Sequence, residues 1–392
     1  CLFTYLHPQL AYESFLVTPR FQTRDFGPPF PDNWLFLGPF GIDPDSVLRK
    51  KTKQDSIFEK KFIERSAANF RTLIRESRYR QKAEQLSDAQ LMEALRLQMA
   101  RMSTIGISNG DFVIEEAGMP SLEGEFDAWA EMVTLLTAQV PATATLRKGI
   151  NQKLKEGKDI LSQKPAFRSF DRMHFLTNVL IPLSAGLTDL QKEWKIPFAT
   201  TPSALNPSFR HVYEPDALNV NYFAPGEEAY LTPEKAELGK FLFFDPILSD
   251  NNERACASCH KPEMAFTDGN IKSVKFDRDG DLLRNAPTVI NSAFQKSQFW
   301  DLRAGSLEDQ LDSVINNRDE LHSSFTNVID RIESSDEYRQ LFYAAFPETR
   351  QTGIQRKHVK IAIASYERML TGFNSRFDQY LRGDQAKMNR DE

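Results

Sequence analysis

Cys256-Ala257-Ser258-Cys259-His260 is the densest chemistry in the sequence. Two thiols three positions apart can each form a thioether to one edge of a porphyrin. The imidazole that follows directly is placed to bind the iron from one face. C-x-x-C-H is therefore the attachment pattern of a covalent c-type haem. A C-x-x-C pair can also be half of a zinc site, but no second such pair and no histidine pair at zinc spacing accompanies it. It can serve as a redox dithiol, but that chemistry needs a βαβ context that the flanks lack. Those flanks are instead an aromatic-rich run, Leu238 to Pro246, and a stretch of turn chemistry from Lys261-Pro262 to Asp268-Gly269.

The elements that must position this motif read as helical. Thr232-Pro233 starts a helix as N-cap and first-turn proline, carrying Leu238 and Phe241 towards the motif. Beyond it, Asn270 to Leu283 is a polar loop in which Asp277, Asp279 and Asp281 alternate. That spacing is like a calcium loop, but Gly280 is misplaced and no distal glutamate completes it, so a solvated loop is expected. Helices then follow at Ser306 to about Ile315, Phe325 to Ile332, Asp336 to Phe346 and Ile354 to Leu370.

Upstream, residues 1–55 are punctuated by Pro28-Pro29 and Gly38-Pro39, and read as an extended arm. From 56 to 195 the periodicity is helical. Phe62, Ala67, Phe70 and Leu73 recur at near-helical spacing, continuing to Tyr79. Ser87-Asp88-Ala89-Gln90 is a capping box ahead of Leu91, Ala94, Leu95, Met99 and Met102, with Gln98 a polar intruder. Phe126, Trp129, Val133, Leu136 and Val140 form a stripe that Pro141 ends. A third runs from Phe170 through His174 to Leu180, with a kink at Pro182 and Leu183 to Trp194 beyond. These stripes read as core, and His174 as a structural histidine on one of them. Residues 196–230, with Pro197, Pro202, Pro207, Pro215 and Pro225, read as a linker.

In composition, 41% hydrophobic and 26% charged residues over 392 positions describe a globular protein with two or three domains. A net charge of −5 without a basic cluster argues against a nucleic-acid partner. No run reaches the ~18 apolar residues needed to span a bilayer. Only three cysteines are present, two of them in the haem motif, so no disulfide framework is expected. The third, Cys1, is either the lipid-carrying first residue of a mature lipoprotein or simply where the sequence starts. C-x-x-C-H haem attachment points to the periplasm or cell envelope, with a membrane tether if Cys1 is lipidated.

Taken together, LGKFLFFDPILS, CASCH, FTDG, RNAPT, QFWDLRAGSLEDQ and RFDQYLRGD resemble the bacterial dihaem cytochrome c peroxidase family, which includes the methylamine-utilisation dihaem enzyme. The resemblance covers about residues 231–385. The preceding helical region, with SFDRMHFL and LIPLSAGL, is similar to an N-terminal extension of one long branch. The implied fold is mainly α, an N-terminal helical domain followed by a cytochrome c-like peroxidatic haem domain at 231–392. The resemblance implies that His260 is the proximal iron ligand and that Cys256 and Cys259 are the thioether anchors. It makes Trp300 the tryptophan between two haems, Gln310 and Glu320 the distal pair, and Asn285 a contributor to a calcium site. Chemistry agrees with those roles. Splitting a peroxide O–O bond needs a base to move a proton from the near to the far oxygen, and an amide to orient the peroxide.

Two departures accompany the resemblance. Some family members carry a histidine in the loop before RNAPT that caps the peroxidatic iron, and Asn270 to Leu283 has none. A five-coordinate resting haem, needing no reductive activation, is expected. Only one C-x-x-C-H is present, so this chain would hold one haem c; a second is expected in a domain that is missing here, cleaved or supplied by another chain, the alternative being a protein that works with one haem. His322 either lines the distal pocket or is exposed. The expected activity is reduction of hydrogen peroxide with electrons from a small donor protein, a cytochrome c or cupredoxin. Alternatives are oxidation of a protein or organic partner through high-valent iron, and a haem-bearing subunit of an envelope assembly. A homodimer or a larger envelope complex is the expected company.

Overall fold

The structure is a computed structural model and describes residues 87–108, 115–139, 142–200 and 203–389. The expected N-terminal arm, the Phe62–Tyr79 stripe and Cys1 lie outside the described residues. The chain divides into two compact units, one of residues up to Leu218 together with Phe377–Glu392, the other Asn219–Arg376. Both are helical. Among the described residues, extended pairing is limited to four isolated bridges, including Lys261 with Thr267 and Gln298 with Ala304.

The first unit is built on four helical segments. Helix α1 (Asp88–Arg101) starts on the expected capping box, with Ser87 and Gln90 side chains each satisfying the other's backbone N–H. Helix α2 (Glu115–Gln139) stops just ahead of Pro141. Helix α3 (Ala144–Ser162) buries Ile150, Leu154, Gly157 and Leu161, an apolar stripe set in a strongly polar background. The fourth segment is α4 (Arg172–Phe175), a π turn at Leu176–Leu180, and α5 (Ile181–Glu193). Pro182, expected as a kink, follows that widened turn directly, which absorbs the missing N–H. Leu95, Phe126, Trp129, Leu154, Val179 and Leu190 meet in the core. A Cβ on Gly157 would stand 2.2 Å from the Phe126 ring, so the helices pass too closely there for any side chain. His174 does not behave as expected. It is exposed, with Nε2 3.6 Å from Glu156 and Nδ1 3.2 Å from Asn178, because the π turn rotates the stripe away from it.

The proline-rich segment after Pro197 is coil, yet it is fastened down. Buried Arg96 donates to the Phe209 carbonyl and stacks 4.5 Å over the Phe209 ring, while Thr188 Oγ1 donates to the same carbonyl at 3.0 Å.

In the second unit α6 (Pro233–Phe244) begins on Thr232 Oγ1, which accepts from Lys235 N at 3.3 Å. It crosses α11 (Arg356–Met369) at Gly239, where a Cβ would lie 1.8 Å from the Ala362 carbonyl oxygen. Three more helices, α7 (Leu307–Asn316), α8 (Phe325–Ser334) and α9 (Asp336–Ala345), start on Ser306, Ser324 and Ser335, and the short α10 spans Thr349–Thr352. Leu238, Leu242, Ile315, Val328, Phe342 and Val359 form their common core. The last short helix, α12 (Arg376–Leu381), carries Leu381, which is buried in the core of the first unit.

Candidate haem and peroxide site

The path into the C-x-x-C-H motif is held by side chains on both sides. Asp245, at the end of α6, accepts from Ile247 N at 2.8 Å and from the Tyr338 hydroxyl at 2.9 Å. Arg331 on α8 then ties the loop: its guanidinium donates to the carbonyls of Ile247 (3.2 Å), Ser249 (2.5 Å) and Asp250 (2.7 Å), and to Asn252 Oδ1 (3.0 Å). Arg254 reaches the carbonyls of Val274 and Lys275, fixing one end of the 270–283 loop. Asp277, Asp279 and Asp281 stay exposed on that loop, as a solvated stretch should.

The motif is one 3-10 turn, Cys256–Ser258. The Cys256 carbonyl accepts from the N–H groups of both Cys259 (3.1 Å) and His260 (2.9 Å), so thiols and imidazole come off a single tight turn. Both cysteines are free and part-buried. Burial pushes the Cys256 thiol up to about 12, with the charges of Glu367 and Glu320 adding to it. The Cys259 thiol is raised by the same cause, and Glu320 contributes there too. A buried, protonated thiol is inert towards stray oxidation or metal capture.

His260 is held by the turn that follows. Ala265 and Phe266 adopt left-handed backbone (φ 53° and 59°), reversing the chain so that Lys261 N donates to Thr267 O at 3.1 Å. The reversal brings the Phe266 carbonyl to 3.1 Å from His260 Nδ1. Thr288 of the RNAPT stretch donates to the Ala265 carbonyl at 2.6 Å and pins it. Burial lowers the imidazole pKa, and the Phe266 and Pro287 carbonyls oppose that less strongly. Burial favours the neutral ring, with Nδ1 donating to Phe266 O, which leaves Nε2 free to ligate a metal. Phe243 flanks it, ring centroids 6.3 Å apart. Two free thiols, a neutral imidazole with one nitrogen to spare and an aromatic wall fit a c-type haem.

Glu320 lies in the turn after α7, part-buried, with its carboxyl raised by burial. Asn317 Nδ2 donates to Glu320 Oε1 at 2.7 Å, and Arg303 and Arg254 favour the ionised form from further away. Gln310, on α7, has a buried Oε1 with no hydrogen-bond partner among the described residues. His322 is exposed, its ring edge-on to Phe276 at 5.6 Å. Asn285 is exposed, and no group of three or more metal-binding side chains occurs among the described residues.

Trp300 is 79% exposed at the tip of a tight loop. Phe299 and Leu302 beside it both take positive φ (67° and 57°), and the loop closes through Gln298 N to Ala304 O at 2.8 Å. Arg303 lies 3.5 Å over the Phe299 ring and pairs with Asp301 at 2.8 Å. Bulky residues in left-handed backbone are strained, and such strain collects at functional loops.

Sequence reasoning missed Asn317, Arg303, Arg254 and Glu367. Glu367 is 6% exposed on α11, beside the buried pair of Arg368 and Glu308 (2.8 Å). Its position one turn after Ile363 and Ala364, on an apolar helix face, was the available signal.

The sequence model of the family "Di-haem cytochrome c peroxidase" matches residues 233–386. The methylamine utilization protein MauG of Methylorubrum extorquens is 38% identical over 161 residues, covering 41% of this chain and 45% of that protein. The cytochrome c551 peroxidase of Nitrosomonas europaea is 39% identical over 166 residues, covering 41% and 48%. The chain thus spans about half the length of these curated relatives. A solved MauG-like protein associated with microbial copper homeostasis is 32% identical, with a TM-score of 0.39 and coverage of 42% and 48%. Residues 233–386 are thus similar to the di-haem cytochrome c peroxidase family.

Proposed function

We propose that this protein is a periplasm-facing c-type haem peroxidase that reduces hydrogen peroxide with electrons from a small redox protein. The observation that carries the reading is a part-buried carboxylate, Glu320, held by Asn317 in the same compact unit as a C-x-x-C-H turn whose histidine bonds Phe266 through Nδ1 and keeps Nε2 free. Cys256 and Cys259 would anchor the haem and His260 would hold its iron through Nε2; when bound, the haem would supply the redox-active iron for peroxide reduction. Glu320 takes the proton from the near peroxide oxygen and returns it to the far one, which leaves as water. Gln310 turns its unpaired amide towards the peroxide and orients it. Two electrons and two protons per peroxide complete the balance to two waters. Trp300 relays electrons from a second haem. Asn285 contributes to a calcium site. No described helix is long and apolar enough to cross one.

The test is peroxide-dependent oxidation of a reduced small cytochrome c or cupredoxin by the full-length holoprotein. Glu320→Gln should lower turnover about a hundredfold or more, the usual contribution of a positioned acid–base group. Turnover equal to wild type in that variant would remove Glu320 from the mechanism. Trp300→Ala should slow electron delivery while leaving peroxide binding intact.

One observation favours a second reading, oxidation of a protein or organic partner. The 270–283 loop has no histidine to cap the iron, and His322 faces solvent. Such a site reacts with peroxide in its resting ferric state. A low-spin, two-histidine spectrum of the resting protein would contradict both the open coordination site and this reading.

A further inference from the structure

The turn that carries Glu320 is built by one side chain. Asn317 is the first residue past α7, in extended backbone (φ −72°, ψ 122°). Its Oδ1 accepts from Asp319 N at 3.0 Å, and its Nδ2 donates to Glu320 Oε1 at 2.7 Å. Its carbonyl accepts from Glu320 N at 3.1 Å and His322 N at 2.9 Å. His322 completes the reversal in left-handed backbone, φ 50°. The turn is pinned from outside as well. Asp319 O accepts from Phe276 N at 2.8 Å, Leu321 O accepts from Asp250 N at 3.0 Å, and Ser323 N donates to Ile315 O at 2.9 Å. The backbone beneath Glu320 is thus fixed to three other segments, and only the side-chain torsions remain to be set. Glu320 Oε2 takes no hydrogen bond from any described residue.

We propose that Asn317 is the positioning residue of the distal carboxylate, its amide N–H holding Oε1 so that Oε2 is the oxygen that carries the proton. This rests on the reading of Glu320 as the acid–base group. An unrestrained glutamate has several rotamers, and a base out of line with its proton loses much of its effect. One amide donor removes that freedom without competing for the proton, since an amide N–H cannot accept one. The same bond favours the ionised carboxylate against the burial that opposes it. The other charged groups acting on Glu320 are Arg303, Arg254 and Asp319, and none is hydrogen-bonded to it. Asn317 therefore sets both the direction and the charge state of the base.

The test compares Asn317→Asp, Asn317→Ala and Glu320→Gln in the full-length holoprotein. Asn317→Asp keeps an acceptor for Asp319 N and replaces the donor to Glu320 by a second carboxyl whose charge also opposes ionisation of Glu320, whereas Asn317→Ala removes the donor without adding charge. Three quantities are measured: the pH profile of the reaction of the haem with hydrogen peroxide, the pH profile of cyanide binding to the ferric haem, and the melting temperature. In Asn317→Asp we expect a melting temperature near wild type and an acid limb moved to higher pH in both profiles. The peroxide rate at neutral pH should fall about tenfold, part of the usual acid–base contribution. Asn317→Ala should move the limb the same way and also melt earlier. Glu320→Gln should abolish the limb. If it does so while both Asn317 variants keep the wild-type limb, Asn317 only builds the turn and the proposal is overturned. If Glu320→Gln itself leaves limb and rate unchanged, the peroxidase mechanism fails first and takes the proposal with it.

Discussion

At the scale of single residues, the second unit buries Glu308 and Glu367 beside one buried arginine. Arg368, 1% exposed, donates to Glu308 Oε2 at 3.1 Å and to the Ala229 carbonyl at 3.3 Å, with Glu308 Oε1 2.8 Å from its other nitrogen. Glu367 is left without a cation of its own. Burial pushes its carboxyl up to about 8, with Glu308 adding to the effect and Arg368 opposing it. The folded protein therefore keeps a proton that the unfolded chain releases near the ordinary 4.5. Stability from this group is complete below that value and is lost as pH rises through about 8. Glu367→Gln should flatten that decline, read from denaturant melts of the holoprotein at about pH 5 and about pH 9. Equal declines in both proteins would mean that Glu367 is ionised in the fold. Arg368→Met, by contrast, strands Glu308 as an unpaired buried charge and should cost about 3–5 kcal/mol.

At the scale of elements, two contacts decide whether the haem motif is presented at all. The crossing of α6 and α11 depends on Gly239, whose missing side chain lets the Ala362 carbonyl approach to a distance that no Cβ tolerates. The obstacle is backbone, which cannot swing aside as a flexible side chain can. Gly239→Ala should force the helices apart and cost about 1–3 kcal/mol or more, with reduced haem incorporation alongside the lowered melting temperature. Unchanged values would show that the crossing relaxes freely. Arg331 is the second contact. It gathers three carbonyls and one side-chain oxygen of residues 247–252 onto α8, and Arg331→Met leaves those groups without their donor. A drop of about 2–4 kcal/mol is expected for several charge-assisted bonds lost together, monitored by thermal unfolding.

For the whole molecule, the first compact unit is discontinuous in sequence, because the residues from Phe377 onward return to it. Leu381 is 4% exposed in that core. Leu381→Ala should therefore destabilise the helical unit by about 2–4 kcal/mol, although the residue follows the haem segment in the chain. The far-UV transition should fall while the haem absorbance transition stays in place. A shift of the haem transition alone would assign Leu381 to the other core.

What the sequence determined on its own was whatever is settled within a few residues. The C-x-x-C-H turn, the Ser87 capping box, the Thr232-Pro233 start and the serine caps of α7, α8 and α9 all depend on neighbours three or four positions away. The mainly helical class follows from the same local periodicity. Helix α3 was not singled out in the sequence, because the lysines and acids around Ile150, Leu154 and Leu161 mask its stripe. His174 misled because a π turn changes the register without a local signal. Tertiary structure alone decided which nitrogen of His260 is free, how Glu320 is turned, that Glu367 lacks a cation and that Arg331 gathers a loop some 80 residues earlier. The physical reason is the same in each case. A charge state or an orientation is set by the groups that folding brings within a few ångströms, and sequence spacing does not record that distance.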